Sequence, residues 1–99
     1  MNKFNEHQLR LWDNMIKFID EYTENKINFS QLVSNLRGAL QAGEFKGEEL
    51  IKKWYEFWGA LEIYNAVSLE NGEIVKKEEV IKDIQKMRKY LEKVLHEQK

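Results

Sequence analysis

Apolar residues along this chain recur at intervals of three and four, the period of a helix packed on one side. Leu9, Trp12, Ile16 and Ile19 form the first such stripe, and Leu11, Met15, Phe18 and Tyr22 widen it to about half the circumference. The pattern predicts a first helix from about Asn5 to Thr23, with Glu24, Asn25 and Lys26 as the turn. A second begins at Asn28, which is placed to cap it, with Gln31 three residues on in the reciprocal capping-box position and Ile27 and Leu32 as a hydrophobic staple. Its buried stripe is Phe29, Leu32, Val33, Leu36 and Leu40. Gly43 reads as its stop, a residue able to turn left-handed at little cost, and Gly38 as a point of close helix approach. Glu48 and Glu49 suit the first turn of a third helix, because the macrodipole favours acids there. That helix is predicted to run to about Leu69, with the stripe Leu50, Trp54, Phe57, Leu61, Tyr64 and Ser68, and to end at Asn71 and Gly72. Val80, Ile84, Met87, Leu91 and Val94 mark a fourth, from about Lys77 to His96.

Four amphipathic helices on short loops predict an all-α single domain spanning residues 1–99, a four-helix antiparallel bundle. The rival arrangement is a three-helix core with one more loosely docked helix. The third helix carries the largest aromatic content and is the expected central element.

Composition narrows the function more than the fold. The 99 residues are 42% hydrophobic and 33% charged, a globular balance with room for one core. With 16 basic against 17 acidic residues and a net charge of -1, the chain lacks the surplus that nonspecific nucleic-acid binding draws on. The absence of cysteine excludes disulfides, thiolate catalysis and cysteine-ligated metals. No apolar run approaches the ~20 residues of a membrane span, and the amino-terminal residues carry no apolar run with a cleavage site. A cytoplasmic location without membrane attachment is the expectation.

No catalytic constellation emerges. His7 and His96 have no nucleophile or acid in a motif beside them, no Glu-x-x-His pair of a di-iron bundle occurs, and Gly38, Gly43 and Gly47 match no phosphate-binding fingerprint. The expected protein is no enzyme and needs no metal or cofactor.

Candidate binding residues concentrate on the third helix. Trp54, Phe57 and Tyr64 lie nearest its core stripe, whereas Tyr55 and Trp58 are the ones to emerge at the edge unless the first helix wraps over that side and buries all five. Glu62 shares that edge, and Arg37 holds the comparable edge of the second helix. Three outcomes stand open for this group: an Arg37–Glu62 pair or Tyr and Trp hydrogen bonds that fix the middle helices, a polar notch used by a partner, or general acid catalysis by Glu62, for which no second carboxylate is placed. Exposed Tyr and Trp suit a binding site because they combine contact area with a polar tip. On the fourth helix, Lys82, Lys86, Lys89 and Lys93 align on the outer face within a stretch that has eight basic and six acidic residues from Gly72 on. They are the candidate phosphate contacts, although Glu78, Glu92 and Glu97 flank them and no aromatic interleaves.

From Phe29 to Gly72, the segments FSQLVSNLRGALQAGEF and WYEFWGALEIYNAVSLENG resemble small helical bacterial proteins similar to the cognate immunity proteins of contact-dependent or polymorphic toxin systems. Leu32, Leu36, Leu40, Trp54, Trp58, Leu61, Glu62 and Tyr64 carry the resemblance; Arg37 departs from it, since an acid commonly follows the leucine at that point. The resemblance implies a non-catalytic protein that binds one toxin domain and blocks it. Glu48, Glu49, Glu56 and Glu62, with Tyr55 and Trp58, would then meet the basic cleft of the toxin. A homo-oligomeric structural or adaptor bundle, suggested by the wide apolar face of the first helix, is the alternative. Nucleic-acid binding through the four lysines is the second alternative.

Overall fold

A computed structural model describes residues 3–98. It contains four helices: α1 (Glu6–Thr23), α2 (Phe29–Gly43), α3 (Glu48–Asn71) and α4 (Lys77–Glu97). They form an antiparallel four-helix bundle in which each helix touches two neighbours: α1 and α3 both pack on α2 and on α4.

The two amino-terminal helix starts are built by the same chemistry. Asn28 accepts from the Gln31 amide at 2.8 Å while the Gln31 side chain accepts from the Asn28 amide at 2.9 Å, as the sequence predicts. Asn5 and Gln8 repeat this box at the start of α1. Gln8 then does a second job, donating from Nε2 to the Gly43 carbonyl at 3.0 Å and so satisfying an orphan acceptor at the end of α2.

Two glycine expectations are overturned. Gly43 is the last helical residue of α2, and the left-handed position falls on Glu44, with φ 47°. The glycine is there for space: a β-carbon on Gly43 would stand 2.2 Å from the Phe45 ring. Gly38 serves no close approach, because a β-carbon there meets nothing within 4 Å.

Trp12, Met15, Ile19, Leu32, Leu36, Trp54, Leu61, Ile84, Met87 and Leu91 make the dry centre, with no buried polar or charged residue among those described. Phe45, in the loop between α2 and α3, is core as well. Its ring lies 4.9 Å from Phe4 and 5.2 Å from Trp12, closing the bundle end where the α2–α3 loop crosses.

Aromatic polar tips stitch the seams. Trp12 Nε1 donates to the Leu91 carbonyl at 2.8 Å, joining α1 to α4. Tyr90 Oη donates to the Leu50 carbonyl at 3.0 Å, joining α4 to α3. Across the diagonal, Trp54 Nε1 points at Met15 Sδ, 3.3 Å away. Each bond satisfies a donor that would cost about 1–3 kcal/mol if buried unpaired.

α3 is not the central element, despite its aromatic content. Of its 24 residues only Trp54, Trp58 and Leu61 are buried. Its length is the reason. At 1.5 Å per residue it runs about 36 Å against about 22 Å for α2. Ser30, in the first turn of α2, already reaches Asn65, where its Oγ donates to Asn65 Oδ1 at 2.7 Å. The last turn and a half of α3 therefore extends past the end of α2.

Candidate interaction surface on the third helix

Trp58 is buried, although α1 does not cover that side and α2 does the burying, whereas Tyr55 emerges. Its Nε1 donates to the Val33 carbonyl at 2.9 Å, and its ring stacks on Trp54 at 5.9 Å between centroids. This is one of the two packing devices expected between the middle helices. The other, an Arg37–Glu62 ion pair, is not among those the described residues make. Arg37 lies over the Trp58 ring, 5.6 Å from its centroid, a cation–π placement that covers the indole from solvent. Arg37, Glu62, Ser34, Gly38 and Asn65 rim the shallow polar depression whose floor is Trp58 and Val33. Tyr55 is exposed, with its ring edge-on to both Trp54 and Trp58.

Glu48, Glu49 and Glu56 are exposed and Glu62 is half-buried, all four on α3. They do not gather at one point. Glu48 and Glu49 border a groove at the other end of the bundle with Phe4, Leu50, Val94 and Gln98. Lys82, Lys86, Lys89 and Lys93 are all exposed on α4. Arg88, the arginine closest to them in sequence, turns away: its Nε and Nη2 grip Asp20 Oδ1 and Oδ2 at 2.9 and 3.0 Å, and Nη1 meets Glu92. The bidentate contact with Asp20 raises the Arg88 pKa and pins α4 to α1.

The most distinctive surface was not singled out from the sequence. Among the described residues, the large exposed hydrophobic side chains are Tyr55 (38% exposed), Ile63 (67%), Val67 (49%), Leu69 (68%) and Ile74 (91%). All belong to α3 or the loop after it. Ile63 and Val67 lie opposite the buried Trp54 and Leu61 on the helix, accompanied by exposed Ala66 and half-buried Gly59 and Ala60. A legible signal existed: between Phe57 and Leu69 the chain carries a single charge, Glu62, so this stretch is apolar on both faces. The wide apolar face of α1, in contrast, leaves no large hydrophobic side chain exposed: Trp12, Met15, Ile16, Ile19 and Tyr22 are buried, and Leu9, Leu11 and Phe18 are half-buried.

Nothing in this surface resembles a reaction centre. Among the described residues no three His, Asp or Glu side chains gather to hold a metal ion. Tyr22, Tyr90 and Arg88 have displaced pKa values, and packing or a structural ion pair accounts for each. No described helix is long and apolar enough to cross a membrane. Compared with family profiles, curated proteins and solved structures, the chain gives no significant match.

Proposed function

We propose that this chain is a non-catalytic protein-binding module that receives its partner on the outer side of α3. One observation carries the reading: among the described residues, the exposed large hydrophobic side chains are confined to α3 and the loop that follows it. Scattered surface apolar residues are ordinary, but Ile63 and Val67 stand one turn apart on the outer face of α3 and form a paired apolar patch there.

The resemblance to immunity proteins supplies a partner class, a basic bacterial toxin domain met in the cytoplasm. Tyr55, about a quarter-turn round α3 from Ile63 and beside Trp58, offers an aromatic anchor at the edge of this face, and Glu48, Glu49, Glu56 and Glu62 on the same helix supply acidic charge to steer a basic partner. Trp58 and Arg37 contribute from beneath by holding α3 in place. No observation favours nucleic acid as the ligand of the four lysines, which remain flanked by acids.

The test is coexpression with the product of each flanking gene. One of them is expected to arrest growth alone, to be tolerated with this chain, and to co-elute with it. Ile63→Glu combined with Val67→Glu is expected to abolish co-elution while circular dichroism stays unchanged. Harmless neighbours that never co-elute would remove the immunity reading.

A further inference from the structure

The geometry points to a second copy of this chain as an occupant of α3's outer face, docked antiparallel along α3 itself. The inference rests on the reading of that face as a contact surface and gives it a second occupant, which a toxin domain bound there displaces. Lys52, Glu56, Gly59, Ile63, Ala66 and Glu70 follow one another at alternating spacings of four and three. That is the heptad spacing of a helix-pairing seam, and it runs about 27 Å along the helix. All six lie on the side away from Trp54 and Leu61, and five of them are exposed, with Gly59 half-buried. No other helix of the bundle covers this side, since α3 packs only on α2 and α4.

The seam complements its own reverse. Run antiparallel, Lys52 faces Glu70 of the second copy, Glu56 faces Ala66, and Gly59 faces Ile63. Two-fold symmetry makes each pairing twice, so two opposite-charge pairs close the ends and two isoleucines fill two glycine notches at the centre. Competing alignments lose this match. A parallel pair sets Lys52, Glu56 and Glu70 each against its own kind, and an antiparallel pair centred on Ile63 sets Glu56 against Glu70.

Gly59 fits the centre of this seam. A β-carbon there meets nothing within 4 Å among the described residues, so the notch it leaves is open to the outside. Facing Ile63 of a second copy, it lets the two backbones approach closely. A single helix pair is a small interface, so micromolar or weaker association is expected, weakening with salt.

Sedimentation equilibrium of the full chain over a wide concentration range tests the proposal. Wild type is expected to pass from monomer to dimer. Lys52→Glu or Glu70→Lys alone should weaken the dimer several-fold, Lys52→Glu with Glu70→Lys should restore it, and Gly59→Leu should weaken it with helicity intact. A monomer at the highest concentration, or a double charge swap that restores nothing, overturns the dimer. If the chain stays monomeric yet Ile63→Glu with Val67→Glu still abolishes capture of a flanking-gene product, the dimer alone falls. If the charge cycle holds and no flanking product is ever captured, the dimer stands and the toxin partner falls.

Discussion

Gly38 and Gly43 lie five residues apart on one helix, and their surroundings assign them opposite costs. Gly43→Ala must displace the Phe45 ring from a core where it contacts Phe4 and Trp12, so a loss of about 1–3 kcal/mol is expected. Gly38→Ala adds a methyl into open space and removes a flexible helix residue, so a gain of up to about 1 kcal/mol is expected. Urea unfolding of the two variants measures both signs, and a Gly43→Ala variant as stable as wild type would contradict the packing described for Phe45. The same method isolates a single polar tip. Tyr90→Phe keeps the ring stacked on Phe57, 4.9 Å between centroids, and removes the bond to Leu50. A loss of about 0.5–1.5 kcal/mol is expected. Which aromatic hydroxyl or indole finds a carbonyl is invisible along the chain, because the acceptors Leu91, Val33 and Leu50 are supplied by other helices.

At the scale of elements, the helix ends differ in how well they are closed. α1 and α2 each start on a reciprocal box, whereas α3 and α4 start at Gly47 and Lys76 without a side-chain cap. Asn28→Ala should therefore cost about 1 kcal/mol. Lys76→Asp, which places an acceptor and a negative charge at an extended cap position, should gain a comparable amount. Thermal melting of the two variants checks the pair, and a Lys76→Asp variant that melts lower would count against an open α4 terminus. The box at Asn28 was legible because its two partners are three residues apart. The burial of Trp58 was not, since its position on the helix places it at the edge of the stripe and only the Val33 carbonyl and the covering Arg37 draw it inward.

At the scale of the whole molecule, alkaline pH should loosen the fold. Burial, helped by Glu97, pushes the Tyr90 hydroxyl from 10.0 up to about 12, and burial with Glu78 raises Tyr22. The unfolded chain ionises these groups from about pH 10 while the folded chain holds their protons. The folded state then binds more protons than the unfolded one, so this contribution is fully present below pH 10 and is lost as pH rises toward 12. Tyr90→Phe should flatten the decline between pH 10 and 12, as followed by denaturant midpoints. An undiminished slope in that variant would assign the decline to other groups. Removing the Asp20–Arg88 fork should matter less, since both side chains are more than a third solvent-exposed.

Helix number, helix boundaries to within about two residues and the all-α class followed from sequence because they rest on local terms: apolar periodicity, caps and chain breakers act within a few residues. The stripes of α1, α2 and α4 were likewise legible, since a helix with one apolar face has one way to bury it. Tertiary structure alone decided how α3 is used. Its apolar residues occupy both faces between Phe57 and Leu69, and periodicity cannot say which face a neighbour will cover. The shortness of α2 and the lateral positions of α2 and α4 settle it, burying Trp54, Trp58 and Leu61 and leaving Ile63 and Val67 outside. The exposure of Ile63 and Val67 thus depends on which sides of α3 the other helices cover.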